Sequence, residues 1–160
     1  MSDSTAGSQA GAIVANELAS ALERAFRELP TGSAESRLRH YCGRIWDVLR
    51  ASDFAEAHRR SLSSDGGAGA TGSALASCVT AVAVLVTEGV RGGEFVAVSP
   101  KRIARVLVSS LFARAHWCAG EVDPRLSGSC TRAVAETLEV LWPALGISAP
   151  GSRTSIPFNA

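Results

Sequence analysis

The chain has 160 residues, of which 46% are hydrophobic and 19% are charged, with 16 basic and 15 acidic side chains. This composition is typical of one globular domain with a sizeable core, and it excludes a disordered chain. A duplex-binding domain usually carries a clustered basic face, so the net charge of +1 argues against direct binding of nucleic acid.

The N-terminal third of the sequence predicts a short disordered segment and two amphipathic helices. Residues 1–11 have no basic region before an apolar stretch, so they do not form a signal peptide. Apolar residues then recur at helical spacing over about 12–29, and again over about 34–51 after a break at Pro30. The apolar face of the second helix consists of Leu38, Tyr41, Cys42, Ile45 and Leu49.

The middle of the chain predicts a short helix, a loop and a longer apolar helix. Asp53 can cap a helix over 53–62, and the small and polar residues of 63–72 predict a loop. The next helix is predicted over about 73–90. Only 75–86 is truly apolar, which is short of a membrane span, so we expect this helix to be buried on most sides of a soluble bundle. Together with the lack of a signal peptide, this favours a cytoplasmic protein.

A glycine-containing turn separates this helix from the next one. Gly92 and Gly93 supply the backbone freedom that ends a helix, and we expect a positive φ at one of them. Phe95 is expected to fold back against the last helical turn. Ser99 is a good N-cap and Pro100 suits the first helical position, so a helix is predicted from Pro100 to about Ala119.

The last predicted helix covers about 127–145, and Pro143 near its end implies a kink or an early stop. Residues 148–160 are expected to form a flexible tail. The sequence therefore predicts an all-α fold, a bundle of about six helices, in one domain over 12–147.

The turn and the helix after it resemble the C-terminal domain of the TetR/AcrR family of bacterial transcriptional regulators. That domain commonly has Glu-Gly, then Gly-Glu-Phe, then Asp/Ser-Pro and an alanine- and leucine-rich helix. The matching residues here are Glu88, Gly89, Val90, Gly93, Glu94, Phe95, Pro100, Ala104 and Trp117. By helix lengths and order, the resemblance extends over 12–62 and 127–147.

The resemblance implies a TetR C-terminal-domain-like bundle that senses a small effector and forms a homodimer. Full-length members of the family bind DNA through an N-terminal three-helix unit with a helix-turn-helix. No segment of this sequence matches that unit, so we expect no specific duplex binding by this chain alone.

A small, largely apolar ligand is expected to bind between helices. The candidate lining residues are Tyr41, Ile45, Trp46, His58, Val79 and His116. Each has an alternative interpretation: the aromatic side chains can be core or interface packing, and the histidines can be hydrogen-bonded or exposed. The chain as a whole can also be a helical protein–protein interaction module with no small-molecule ligand.

The last two predicted helices carry more apolar residues than one helix face needs, which favours an isologous homodimer. The TetR-like resemblance implies the same pair of helices. The candidate interface residues are Val108, Leu111, Phe112, Ala115, Leu138, Leu141, Trp142 and Leu145.

Neither catalysis nor a metal site is predicted. The three histidines lie on separate predicted helices, and the sequence has no nucleophile-elbow, Walker or zinc-protease motif. The pairs His40–Cys42 and His116–Cys118 are two residues apart, so on a helix their side chains diverge. All four cysteines are expected to be reduced thiols on apolar helix faces. The sequence thus predicts no enzyme activity, no cofactor and no metal.

Overall fold

The structure is a computed structural model that describes residues 3–51, 68–119 and 127–147. Within these ranges all regular structure is helical, which confirms the all-α prediction. The five α-helices are α1 (Asp3–Arg27), α2 (Ala34–Ala51), α3 (Ala68–Arg91), α4 (Pro100–Ala119) and α5 (Ser127–Leu141), and the 3-10 helix Trp142–Leu145 follows α5. The helix predicted over 53–62 and the tail predicted over 148–160 lie outside the described residues.

Two helices begin earlier than the sequence predicts. The α1 helix begins at Asp3, so the prediction of disorder over 1–11 is wrong from that residue onward. The α3 helix begins at Ala68, and the predicted loop over 63–72 is helical in its second half. Extending an existing helix costs much less than nucleating one, so an anchored helix can continue into residues that favour it weakly.

The helices after α3 begin and end where the sequence predicts. The α4 helix begins at Pro100, and the carbonyl oxygen of Ser99 accepts hydrogen bonds from the backbone N–H groups of Arg102 and Ile103. The α5 helix ends at Leu141, two residues before Pro143, and the chain continues as a 3-10 helix. A proline that lacks an N–H and fixes its own φ accounts for both of these boundaries.

The α3 helix ends in a Schellman motif, which confirms the prediction of a glycine stop. Gly93 has a φ of +72°, its N–H donates to the Val90 carbonyl, and the N–H of Glu94 donates to the Gly89 carbonyl over 2.8 Å. A residue with a Cβ is strained at this φ, so glycine is the natural choice. Phe95 is 5% exposed and lies directly against Gly89, as expected.

The segment 92–98, which we call the GEF turn, also connects α3 to two distant parts of the chain. The Glu94 carboxylate accepts hydrogen bonds from the N–H groups of Ala34 and Glu35 at the start of α2, over 3.0 and 3.1 Å. The N–H of Val96 donates to the carbonyl of Leu145 in the 3-10 helix. The turn therefore fixes the positions of α2 and the C-terminal 3-10 helix relative to α3.

The core lies between α1, α2, α3 and α4, and the end of α5 closes it on one side. Tyr41 of α2 is 1% exposed, and its ring contacts Phe26 edge-on with 5.3 Å between the ring centroids. Trp142 is 2% exposed, and the Arg39 guanidinium lies over its ring at 4.7 Å from the centroid. Arg39 also pairs with Glu35 and Glu139, so one side chain connects α2 to the end of α5.

The α3 helix is packed on one side and open on the other. The stretch Gly72–Arg91 is long and apolar enough to span a membrane by length and composition, and 33% of it is fully buried. Its exposed residues repeat at helical spacing along one face, and the residues on the other faces are buried or half-buried. One face of α3 packs on α1, α2 and α4, and the opposite face stays open along much of its length.

Candidate ligand-binding groove

The open face of α3 forms one wall of a groove of about 1060 Å³, and the first half of α4 with Ser99 before it forms the other. The groove is open to solvent along one side rather than enclosed. Its apolar surface is on α3, where the lining side chains recur at helical spacing. These apolar lining residues are Leu75, Ala76, Val79, Ala83 and Val84.

The polar residues in the middle of the groove keep their hydroxyl donors within α3. Thr80 Oγ1 donates to the Ala76 carbonyl over 3.0 Å, and Thr87 Oγ1 donates to the Ala83 carbonyl over 2.7 Å. A hydroxyl that is bonded to its own helix does not need a further acceptor. The centre of the groove can therefore accept an apolar group without leaving a buried donor unsatisfied.

One end of the groove is positively charged. Arg91, Lys101 and Arg105 line this end, and all three side chains are exposed. None of the ion pairs among the described residues involves them. Glu88 also lines the groove, but its carboxylate pairs with Arg37 of α2. We call these three residues the cationic end.

The structure places most of the predicted ligand-binding residues away from this groove. Tyr41, Ile45 and Trp46 are at most 4% exposed and belong to the core, and the Tyr41 hydroxyl donates to the Leu22 carbonyl over 3.4 Å. This burial fits the alternative of core packing, and none of the three lines the groove. Of the five candidates within the described residues, Val79 alone lines the groove.

The two histidine candidates differ in what the structure describes. His116 is half-buried on α4 and is not part of the lining. His58 lies outside the described residues.

The predicted dimer residues lie largely inside the single chain. Val108, Leu111, Phe112 and Ala115 of α4 are at most 8% exposed. Trp142 and Leu145 are also buried, and Leu138 and Leu141 are partly buried against the core. The surplus of apolar residues on these two helices is thus covered mainly by the fold of one chain. Val106 and Val140, 45% and 77% exposed, are the large apolar side chains that remain open on them among the described residues.

The cysteines divide into two environments. Cys42 and Cys78 are free and buried, and burial raises the pKa of each thiol to about 12. A thiol with such a pKa is neutral near pH 7, where it is a poor nucleophile. Cys118 is disulfide-bonded, so the expectation of four reduced cysteines is wrong. Among the described residues no group of three or more His, Cys, Asp or Glu side chains could hold a metal ion.

The sequence contains one signal that points to the groove. The run from Gly66 to Thr87 has no charged residue on any helix face, whereas the solvent face of an ordinary amphipathic helix is charged or polar. Such a run fits full burial and also fits a face that is kept apolar for a ligand. The spacing of apolar residues along one helix does not distinguish a fully buried helix from a helix with a ligand-binding face, because both have the same pattern.

Comparison of the chain with protein-family models, with curated proteins and with solved structures gives no match.

Proposed function

We propose that this protein is the effector-sensing domain of a TetR-like transcriptional regulator, and that the groove between α3 and α4 binds a small, largely apolar ligand. The observation that carries the proposal is the groove itself, which combines an apolar wall with a few polar groups at one end. Small-molecule sites in proteins typically have this make-up. In this proposal the domain acts by binding and not by catalysis, works in the cytoplasm, and contacts no nucleic acid directly.

The GEF turn supports the TetR-like part of the proposal, because each residue of the motif has a separate physical role here. Gly93 takes the positive φ, Glu94 caps α2, and Phe95 packs on Gly89. These roles make the motif a structural unit rather than a chance match of glycines. The turn also adjoins the cationic end of the groove, since Arg91 ends α3 directly before it.

A matched pair of tryptophan variants tests whether a ligand binds in this groove. Ala76 and Ala113 are both exposed helix residues, but Ala76 lines the groove and Ala113 does not. We expect the uncharged fluorescent probe N-phenylnaphthylamine to bind the wild-type protein and Ala113→Trp equally, as measured by fluorescence titration. Ala76→Trp should bind it roughly tenfold more weakly, because the indole occupies the apolar wall. Equal affinity for both variants would place the probe elsewhere and remove the groove as the ligand site.

We also propose a homodimer, with an interface that includes the outer face of α5. Val140 is 77% exposed in the single chain, so a charge there costs little in the monomer but much in a desolvated contact. Wild-type protein should show a dimer mass by light scattering at micromolar concentration, and Val140→Glu should show a monomer mass with an unchanged helical circular-dichroism spectrum. Its melting temperature should be lower, because the variant loses the stabilisation that dimer formation gives. Ile13→Glu is the control, because Ile13 is 58% exposed on α1. A wild-type monomer, or a Val140→Glu dimer, contradicts this interface.

A helical interaction module is the second candidate function, and the open apolar face of α3 favours it. In that case the groove holds an apolar helix of another protein instead of a small molecule. The probe titration bears on this choice: saturable binding that is weakened in Ala76→Trp favours a small-molecule site, whereas no saturable binding of the probe favours the helix.

A further inference from the structure

The two ends of the groove differ in chemistry, and this difference restricts which molecules fit. The apolar wall extends from Leu75 to Val84, about 14 Å along the axis of α3. The cationic end lies beyond Thr87 and Glu88, with Arg91 from the end of α3 and Lys101 and Arg105 from the start of α4. Apolar and charged groups are thus separated along the groove rather than mixed.

Among the described residues, no carboxylate is paired with the side chains of the cationic end. Glu88 is the one acidic side chain among the described lining residues, and it is held by Arg37. The start of α4 also lies here, and the N-terminal end of a helix dipole adds to the positive potential. Three cations at one end of a groove, with no paired anion among the described residues, attract a negative group.

Resting on the proposed function, we infer that the ligand is an anionic amphiphile: a single alkyl chain with a carboxylate or similar acid group at one end. The chain lies on the α3 wall between Leu75 and Val84, and the acid group is bound by the cationic end. The length of the apolar wall fits a medium-length alkyl chain in an extended conformation.

The charge pattern favours this occupant over a second copy of the chain or a bilayer. A second copy facing the groove would bring three more cations and, from its own described groove lining, only the Glu88 that is already paired. A bilayer surface contacts cations spread around a protruding patch, whereas these cations lie at one end of a concave groove. A molecule with one apolar part and one acidic end matches both the shape and the charge.

A pair of ligands that differ only in the head group tests this inference. Decanoate and decanol are each titrated against the protein loaded with N-phenylnaphthylamine, and displacement gives their affinities. We expect decanoate to bind about tenfold more tightly than decanol at low salt, since each exposed ion pair contributes a few-fold. Added salt should weaken the binding of decanoate and leave that of decanol unchanged, because only the former depends on charge.

Matched variants locate the acid group. Arg105→Gln removes a cation of the groove, and Arg102→Gln removes an exposed cation of the same helix that does not line it. Decanoate affinity should fall about threefold in Arg105→Gln and stay unchanged in Arg102→Gln. In the triple variant Arg91→Gln, Lys101→Gln, Arg105→Gln the preference for decanoate over decanol should disappear, while decanol binds as before.

The possible outcomes separate this inference from the proposed function. Equal binding of decanoate and decanol by the wild-type protein overturns the inference and leaves the groove as an apolar ligand site. Failure of the probe to bind the groove at all overturns both. Sedimentation of the protein with vesicles of dioleoylphosphatidylglycerol, lost in the triple variant, would overturn the inference in favour of a membrane surface.

Discussion

Replacing Gly89 by alanine should lower the free energy of unfolding by about 2 to 3 kcal/mol, as measured by chemical denaturation. A Cβ at Gly89 would lie 2.2 Å from Cδ2 of Phe95 and 2.3 Å from its Cε2, far closer than atoms can approach. Phe95 is buried in contact with α3 and is held by the GEF turn, so its ring cannot move away without opening the turn. The variant must therefore displace either the ring or the end of α3.

Two further variants show whether the clash is the cause. Gly43→Ala serves as the control, because Gly43 lies on an exposed face of α2 with no atom within 4 Å of the new Cβ. That change should raise stability by roughly 0.5 to 1 kcal/mol through helix propensity alone. In the double variant Gly89→Ala, Phe95→Leu the losses should not add, because the smaller side chain relieves the contact. Additive losses would mean that Gly89 matters for another reason.

Replacing Glu94 by alanine should lower the free energy of unfolding by about 1 to 2 kcal/mol. The first N–H groups of a helix have no partner within the helix. At the start of α2 the Glu94 carboxylate accepts hydrogen bonds from the N–H groups of Ala34 and Glu35. The Ser33 hydroxyl oxygen accepts one from the N–H of Ser36. Loss of the carboxylate leaves two donors without their partner and removes a negative charge from the positive end of the helix dipole.

Glu94→Gln and Glu23→Ala complete this experiment. The glutamine amide keeps one acceptor oxygen without the charge. The Glu94→Gln variant should therefore lose about half as much free energy of unfolding as Glu94→Ala. Glu23 pairs with Arg27 on α1 with both side chains 66% exposed, and its removal should change stability by less than about 0.5 kcal/mol. Equal stability of Glu94→Ala and wild type would show that water replaces the carboxylate at no cost.

The features that the sequence predicts well are those whose causes lie within a few residues. The stop at Gly93 depends on its own φ and on hydrogen bonds to carbonyls three and five residues earlier. The start of α4 depends on Pro100 and the Ser99 carbonyl. Because all the interacting groups are close in sequence, the residue types alone specify the geometry.

The partners of the GEF turn could not be predicted in the same way. The residues that Glu94 caps lie about 60 positions earlier in the chain, and Val96 donates to a carbonyl about 50 positions later. A carboxylate in a turn signals only that it can accept hydrogen bonds. Which helix end it reaches depends on how α2 packs against α3, and that depends on the shapes of many side chains at once.

The residues that line the candidate ligand-binding groove were the hardest to predict from the sequence, because they too depend on how the helices pack. The amphipathic pattern of α2 correctly places Tyr41 and Ile45 on the inner face, but that pattern does not distinguish a packed core from a pocket. The tertiary structure buries these side chains, and the groove that it forms along α3 does not include them. The cationic end likewise brings together residues from two helices on either side of the GEF turn.

The sequence by itself determined the helical class of this protein, most helix boundaries after Pro30 and the conformation of the GEF turn, because these follow from short-range sterics and hydrogen bonding. Only the tertiary structure decided which apolar surface is covered. Most apolar residues of α4 are buried by their neighbours, whereas Val79 and Val84 of α3 line an open groove. Burial depends on where other helices lie in space. An apolar pattern predicts which face of a helix is removed from water, but it does not predict which helix or ligand covers that face.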